Sequence, residues 1–362
     1  MTDQTENTAI VIGGGIIGLM TAHDLAMTGL KLILLDDGGQ KASTGSLVWL
    51  NVISTDDADY AALRMASMKL WHVLAQNDDC PIAFRGALLW DGPNADMSKM
   101  AAAQTQFGWP VEVVKGDEIT ALAPGLASPP QQALFARAEG SCDPQQILAW
   151  AASRVVSAGV EVREAQVGGL IVEGQTITGV SLVDGNQLHA QHIIVAGGCG
   201  SVTLLESAGI QLTLQDAPGM MLKTTCGAHQ AGPVLASPEM DFWQGTDGSY
   251  LVATSPNDQM TSTAEQAAQA ALDALKNIMS DIDGVAISTI IARERPVPLD
   301  GMPLIGELPG LVGLYLAVMH SGMTLAPIAA RLITNAIVNG SNNVRPDKYL
   351  PGRVGGGITH LG

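Results

Sequence analysis

Positive charge is scarce in this chain. It carries 18 Lys and Arg against 35 Asp and Glu, a formal net charge of -17, and charged residues make up only 15% of the sequence. Such a balance repels phosphate backbones and anionic lipid surfaces, so we expect no nucleic-acid partner. A chain of 362 residues with 47% apolar residues is not disordered, and its length predicts two or three domains with a substantial core.

Cysteine is also rare, and the sequence contains no familiar pattern of metal ligands. His189 and His192 are three residues apart in strand-like sequence, which places them on opposite faces. We therefore predict no metal site, and we interpret the cysteines as reduced thiols. These are widely spaced and form no CxxC pair: Cys80, Cys142, Cys199 and Cys226.

Signals that would direct the chain to a membrane are missing as well. Asp3 and Glu6 stand where a secretory signal carries Lys or Arg. The uncharged run 308–330 is long enough to cross a bilayer, but it contains Pro309 and His320 and changes from strand-like to helix-like spacing. We predict buried core in this run, no membrane span, and a cytoplasmic location.

A glycine motif opens the chain. A short apolar strand at 8–12 is followed by G-x-G-x-x-G, a helix at 16–27 and a second strand at 30–35. In this context the glycines permit a tight turn, and the helix N-terminus offers an anion site for a dinucleotide pyrophosphate. The motif does not distinguish NAD from FAD. The residues predicted to bind the cofactor here are Gly13, Gly15, Ile16, Ile17, Gly18 and, for the ribose, Asp36 with Asp37.

Further motifs follow in a characteristic order along almost the whole chain. They are GGGIIGLMTAHDLAMTG at 13–29, Ala42-Ser43, IIVAGGCGS at 193–201, RPVPLDGMPLIG at 295–306 and GLYLAVMHSGMTLAP at 313–327. With these motifs the sequence resembles the FAD-dependent oxidoreductases of the D-amino-acid oxidase superfamily, in the branch of glycine oxidase and sarcosine oxidase. The resemblance implies an α/β fold in which a Rossmann-like FAD-binding domain is interleaved with a smaller, β-rich substrate domain.

The local composition and turn signals of the sequence suggest where the two domains alternate. Short strands, most aromatic residues and the turn dipeptides Asp91-Gly92 and Asp247-Gly248 fall within about 85–130 and 218–288. We predict that the FAD-binding domain consists of three pieces, and the substrate domain of two. The boundaries are 1–84, 140–217 and 296–362 for the first, and 85–139 and 218–295 for the second.

The resemblance also implies further cofactor contacts. It places Ala42 and Ser43 at the cofactor, the Val167 backbone near the adenine, and Gly197 with Gly198 at a strand end beside it. Relatives that tether the flavin use a cysteine roughly thirty residues before the turn that faces the flavin ring. The corresponding stretch, near residue 291, has no cysteine, so we predict non-covalent FAD.

A second helix start lies near the C-terminus. A strand at 314–318 and a turn precede a helix at about 324–338, with Pro327 interpreted as part of its first turn. A helix N-terminus here suits the negative charge that reduced flavin carries at N1 and the C2 oxygen. An ordinary buried helix remains the alternative. The residues predicted to meet the flavin ring are Ser321, Gly322, Met323 and Thr324.

Two arginines are candidates for substrate binding. Arg293 and Arg295 are two residues apart in the strand-like stretch 287–295, which predicts that both point to one face. In glycine oxidase-like relatives the position of Arg295 binds the substrate carboxylate, a task suited to a guanidinium. Surface arginines that pair with acids remain the alternative, more so for Arg293.

The other candidate site residues are aromatic. The resemblance places Trp49 beside the flavin, although core packing is equally compatible with the sequence. Phe242 and Trp243 are neighbours in a strand, so at most one faces the substrate, and we list Trp243 with the catalytic candidates. His320 precedes the turn that faces the ring, and is either catalytic or structural.

The resemblance implies oxidation of the C–N bond of a small, carboxylate-bearing amine, by hydride transfer to flavin N5. The resulting imine hydrolyses, and O2 or another electron acceptor reoxidises the enzyme. Two alternatives stay open at this point: a 2-hydroxy acid dehydrogenase in which His320 takes the hydroxyl proton, and a flavin-bearing subunit without turnover. A homo-oligomer is one possible assembly.

Overall fold

The computed structural model describes residues 7–53, 55, 57–90, 96–228, 231–254, 263–340 and 347–360. In these ranges the helices are α1 (Ile16–Ala26), α2 (Ala58–Asn77), α3 (Met97–Gln106), α4 (Asp117–Leu122), α5 (Pro144–Ser157), α6 (Ser201–Glu206), α7 (Ala264–Ile278) and α8 (Gly322–Asn339). Single turns of 3-10 helix lie at Ala42–Gly45, Gly198–Gly200 and Asp347–Tyr349.

The strands are short and numerous. They are β1 (Thr8–Ile12), β2 (Lys31–Asp36), β3 (Trp49–Leu50), β4 (Ala87–Leu89), β5 (Glu112–Lys115), β6 (Gln132–Ala136), β7 (Gly140–Ser141), β8 (Glu161–Glu164), β9 (Val167–Glu173), β10 (Thr176–Leu182), β11 (Gln187–His189), β12 (His192–Val195), β13 (Ile210–Leu212), β14 (Pro218–Cys226), β15 (Val234–Ala236), β16 (Asp241–Gln244), β17 (Ser249–Thr254), β18 (Ile287–Glu294), β19 (Leu304–Glu307), β20 (Leu314–Val318) and β21 (Ile358–His360).

Contacts divide the chain into two compact units. Unit 1 comprises 1–43, 148–217 and 294–362, and unit 2 comprises 44–147 and 218–293. The division differs from the predicted boundaries chiefly at 44–84 and 140–147, which belong to unit 2. The physical reason is contact with the rest of unit 2: Leu47 packs in one cluster with Trp243 and accepts its indole N–H, and β3 in turn pairs with β7.

The centre of unit 1 is a six-stranded sheet in the order β19-β20-β12-β1-β2-β8. Strand β1 pairs in parallel with both β2 and β12, while β19 alone runs antiparallel to its neighbour β20. The apolar sequence of β1 suits this central position, since both faces of such a strand are covered. The carboxyl ends of β1 and β12 therefore lie side by side, where ligands bind in α/β folds.

Unit 2 is built on an eight-stranded sheet in the order β18-β14-β17-β16-β15-β4-β6-β5. The predicted turn at Asp247-Gly248 joins β16 to β17, while Asp91-Gly92 lies outside the described residues. One sheet face packs with α7 in a core that includes Phe242 and Leu275. A smaller cluster containing Leu47 and Trp243 is separate from that core, so the two sheet faces have different coverings.

The run 308–330 forms β20 and the first half of α8, and most of its side chains are buried, as predicted. Helix α8 begins at Gly322, so Pro327 lies inside the helix, and the interpretation of Pro327 as a first-turn residue was wrong. Its missing N–H leaves the helix without one internal hydrogen bond. Within the described ranges, no helix is both long enough and apolar enough to cross a bilayer.

Candidate functional site

The glycine loop of unit 1 is packed tightly at two of its three motif positions. Gly13 has φ +113°, and a Cβ there would lie 2.5 Å from the Ala196 carbonyl oxygen at the end of β12. A Cβ on Gly18 would overlap the Gly13 carbonyl oxygen. At Gly15 the nearest neighbour is Ser43 Oγ, at 3.3 Å. The fold therefore demands glycine at 13 and 18, whereas at 15 an added Cβ would meet only the Ser43 hydroxyl among the described residues.

The N-terminus of α1 presents backbone donors at this loop. Its N-cap, Gly15, has no side chain to bind them, and the Ile16 N–H donates to Ser43 Oγ at 3.1 Å. The Gly15 and Ile17 N–H groups have no acceptor within the part of the chain that the structure describes. Unpaired amides at the positive end of a helix fit a dinucleotide pyrophosphate.

Asp36 lies over the same loop. A Cβ on Gly14 would be 2.5 Å from the Asp36 carboxylate, and Lys41 Nζ pairs with that carboxylate at 3.0 Å. Asp37 instead accepts the Gly39 N–H at 2.8 Å in a local turn. Of the two predicted acids, Asp36 is therefore the one whose carboxylate lies against the glycine loop. Lys41 is an additional basic residue that the sequence analysis did not single out.

The β12 end and α8 complete the surroundings of the loop. A Cβ on Gly13 would be 3.1 Å from Gly197 Cα, so the predicted glycines after β12 contact the first glycine of the motif. A Cβ on Gly322, the first residue of α8, would be 3.5 Å from an Ile17 side-chain carbon. The N-termini of α1 and α8 thus lie side by side, and two positive helix ends converge on one region of unit 1.

The turn into α8 is conformationally unusual. Ser321 has φ 55° and ψ 28°, a left-handed conformation that is uncommon outside glycine, and His320 Nδ1 lies 3.1 Å from Ser321 Oγ. Met323 and Thr324, in the first helical turn, are 6% and 1% exposed. Val167 lies in the same unit, at the start of β9 and three residues after Glu164. Glu164 is the register partner of Asp36 in the parallel pairing of β2 with β8.

The two arginines are held differently, and the strand predicted at 287–295 stops one residue short of Arg295. Arg293 belongs to β18, but that strand ends at Glu294. Arg295 lies beyond it in unit 1, where its backbone N–H and its Nε both donate to the Ala217 carbonyl, at 3.0 and 3.2 Å. Two donors of Arg295 therefore share one acceptor in unit 1, the Ala217 carbonyl.

The aromatic candidates belong to unit 2. Phe242 is in the core beneath α7 with Tyr250, whereas Trp243 packs with the other cluster and donates its indole N–H to the Leu47 carbonyl at 2.7 Å. The two neighbours therefore face opposite sides of the sheet, as predicted. Trp243 is only 5% exposed, and Trp49 packs against the same cluster.

A buried carboxylate holds Trp49 in place, and the sequence analysis missed it. Glu139 is fully buried and accepts the Trp49 indole N–H at 2.8 Å and the Trp109 indole N–H at 3.2 Å. It also accepts the backbone N–H groups of Val52 and Ile53, at 2.8 and 3.0 Å. One side chain thus fixes the segment after β3, at the residue that the resemblance places beside the flavin.

Arg64 is the charged neighbour of this carboxylate. It is 4% exposed, and its Nε donates to the Asn51 carbonyl at 2.9 Å while Nη2 contacts Asn51 Oδ1. Burial raises the pKa of Glu139 to about 7, although its hydrogen bonds and Arg64 oppose the shift. Burial likewise lowers the pKa of Arg64. An arginine among the apolar positions Leu63, Met68 and Trp71 of α2 is the sequence signal that could have revealed the network.

Comparison with known proteins agrees with this geometry. A family model described as FAD dependent oxidoreductase matches residues 8–336. Glycine oxidase from Pseudomonas aeruginosa is 26% identical over 360 residues, covering 94% of this chain and 98% of that protein. The crystal structure of glycine oxidase from Geobacillus kaustophilus has a TM-score of 0.85 at 19% identity and covers 96% of this chain and 98% of that chain.

A further solved structure shares the fold. L-amino acid deaminase from Proteus vulgaris has a TM-score of 0.86 at 19% identity, covering 95% of this chain and 93% of that chain. These findings confirm the predicted mixed α/β fold, the FAD cofactor and an enzyme that oxidises amino acids or amines. The chain belongs to the DAO family of FAD-dependent oxidoreductases.

Proposed function

We propose that this enzyme oxidises the C–N bond of a small amino acid or N-substituted amino acid. The amine loses two electrons and two protons as C–N becomes C=N, and the imine then adds water to give a carbonyl compound and a free amine. Bound FAD supplies the acceptor for the electrons. The observation that carries the proposal is the convergence of the N-termini of α1 and α8, because a flavin nucleotide has negative charge both at its pyrophosphate and, once reduced, at its ring.

The described residues divide the work of holding the cofactor. The amides of α1 and the Ser43 hydroxyl would hold the pyrophosphate, and Asp36 would accept the ribose hydroxyls. The first turn of α8 would hold the flavin ring, where backbone amides would favour negative charge. The proposed cofactor residues are Gly13, Gly15, Ile16, Ile17, Gly18, Asp36, Asp37, Ala42, Ser43, Val167, Gly197, Gly198, Ser321, Gly322, Met323 and Thr324.

The proposal is tested by anaerobic bleaching of the flavin absorbance. We expect amino acids or N-methylamino acids to bleach it, while 2-hydroxy acids do not. The alternative dehydrogenase would rely on His320 as a base, and its signature is bleaching by 2-hydroxy acids alone. That result would overturn C–N oxidation. The bleached enzyme then needs O2 or another electron acceptor for turnover.

Arg295 is the proposed clamp for the substrate α-carboxylate, where its role is orientation and not acid-base catalysis. Arg295→Ala should bind acidic substrates more weakly by about 2 to 5 kcal/mol and leave FAD bound. Decarboxylated analogues should lose little binding affinity for this variant. Kd values for both classes measure this, with Arg295→Lys as a variant that keeps the charge but lacks the fork. Equal losses for both classes would show that Arg295 is structural.

FAD should be held without a covalent bond. The last cysteine of the sequence is Cys226, and the stretch near residue 291 contains none, so the tether used by some relatives has no counterpart. Acid denaturation should therefore release all of the flavin into the supernatant, measured by its absorbance after the polypeptide is removed. Flavin that remains with the denatured chain contradicts this prediction.

A further inference from the structure

Strand β8 (Glu161–Glu164) is an open edge of the six-stranded sheet in unit 1. It pairs in parallel with β2 on one side and has no strand on its other side within the described ranges. The Ala165 N–H donates to the Asp36 carbonyl at 2.8 Å. Backbone groups point to alternate sides along a strand, so Ala165 and every second residue before it face β2. Val162 and Glu164 therefore direct their N–H and C=O groups away from the sheet.

These outward backbone groups are accessible to another strand. The N–H groups of Val162 and Glu164 have no acceptor in the part of the chain that the structure describes. Val162 is 48% exposed, and the side chains of Glu161 and Glu164 are exposed as well. A row of unpaired backbone groups on an exposed edge is a template to which a further strand can add.

The charges of β8 indicate which strand fits this edge. Glu161 and Arg163 project from the same face, where Arg163 Nε donates to Glu161 Oε1 at 2.6 Å. If two β8 strands pair antiparallel about Val162, Glu161 of each strand lies opposite Arg163 of the other. Charged residues ordinarily keep edge strands apart. The order acid, valine, arginine is instead self-complementary, so these charges favour a second copy of the same strand.

The surface at the two ends of β8 is complementary in the same way. Val156, in the last turn of α5, is 64% exposed and precedes the strand. Val183 is also 64% exposed and lies beyond the other end, where its N–H donates to the Gln166 carbonyl at 3.0 Å. A two-fold axis through the centre of β8 brings the Val156 end of one copy to the Val183 end of its partner. Apolar surface thus meets apolar surface beside the paired strands.

We propose that β8 is the contact surface of a homodimer, in which two copies of this chain pair their β8 strands antiparallel about a two-fold axis at Val162. The Val162 N–H of each copy donates to the Val162 carbonyl of its partner, and the Glu164 N–H donates to the Val160 carbonyl. The contact is isologous, since both copies use the same patch. It joins two sheets into one and closes an open edge on each. The proposal does not depend on the substrate of the enzyme.

Sedimentation velocity of the FAD-loaded protein over a range of concentrations tests the proposal, at an ionic strength of about 0.15 M. The wild type should form a dimer. Arg163→Glu should raise the Kd of the dimer at least about tenfold, because acids then lie opposite each other across the two strands. The double variant Glu161→Arg with Arg163→Glu restores opposite charges, and its Kd should return to within about threefold of the wild-type value.

Val162→Lys provides an independent perturbation. It places two ammonium groups against each other at the axis, so it should also favour the monomer. Val338→Lys is the matched control, because Val338 is 53% exposed on α8 and lies outside the proposed contact. This variant should dimerise like the wild type. The ratio of flavin to protein absorbance should be the same in all variants, which shows that each of them is folded.

Hydrogen exchange locates the contact on the chain. Amides in the segment 160–166 should exchange more slowly in the dimer than after dilution to the monomer, and Arg163→Glu should abolish this difference. A wild type that stays monomeric at the highest concentration measured would overturn the proposal. A dimer that both Arg163→Glu and Val162→Lys leave intact would do the same, because another surface would then hold the two copies together.

Discussion

Gly15→Val should yield a folded protein that no longer binds FAD. The nearest protein atom to a Cβ at this position is Ser43 Oγ, at 3.3 Å, so the fold accommodates a small side chain with a slight adjustment. The pyrophosphate of FAD does not tolerate such a side chain, because it must approach the backbone at the second glycine of the motif. We expect FAD affinity to fall at least about 100-fold, or about 2.7 kcal/mol. Titration of apoprotein with FAD measures the change.

Two other glycines provide controls for this prediction. Gly284→Val should retain both fold and FAD, since nothing lies within 4 Å of a Cβ there. Gly18→Ala should instead lower the free energy of unfolding, because its Cβ would overlap the Gly13 carbonyl oxygen. Wild-type FAD affinity in Gly15→Val would refute the assignment of the α1 amides to the pyrophosphate.

Glu139→Ala should lower the free energy of unfolding by about 3 to 5 kcal/mol, the usual effect of breaking a buried charged network. The change leaves two indole and two backbone N–H groups without their acceptor, and it removes the charge beside Arg64. Urea denaturation measures the loss. Glu112→Ala is the matched control, because its ion pair with Arg137 is exposed and should contribute about 1 kcal/mol or less.

The pH dependence of stability gives the same carboxylate a distinct signature. The folded-state pKa of Glu139 is raised to about 7, from an ordinary value of 4.5, so the folded protein keeps this proton longer than the unfolded chain. The contribution of Glu139 to the free energy of unfolding therefore falls as pH rises from about 4.5 to about 7, and is constant above that. Glu139→Gln should remove this slope. A difference curve against the wild type without any slope would show that Glu139 does not titrate in this window.

The local parts of the fold were predictable from the sequence because their signals are local. The β1–α1–β2 unit and β20 lie within two residues of the predicted spans, since an apolar strand, a glycine turn and a helical period can each be read from neighbours along the chain. The sequence also signals helix α7, through the capping box of Thr263 and Gln266. The strand-like sequence around it, however, favours a β-rich interpretation of the whole region.

The rest depends on contacts between distant parts of the sequence. The assignment of 44–84 to unit 2 depends on contacts with distant strands, such as that of Leu47 with Trp243, which no periodicity reveals. Glu139 is an isolated acid in the sequence, and only its burial among four donors gives it significance. Similarly, the sequence offers Arg293 and Arg295 as candidates but does not show that the Ala217 carbonyl accepts from the Nε of Arg295. Nor does it show that the Nε of Arg293 is buried without a partner among the described residues.

The discontinuous units have a consequence for how the chain folds during synthesis. Strand β1 is made first, yet its partner β12 follows about 180 residues later, and β20 later still. The sheet of unit 2 is similarly incomplete until β18 has been synthesised. Until these strands emerge from the ribosome, nascent chains expose unpaired sheet edges and their apolar faces, which are the surfaces from which aggregation starts. Contacts of such long sequence separation also form slowly, so the protein should depend on chaperones more than a chain built from consecutive domains.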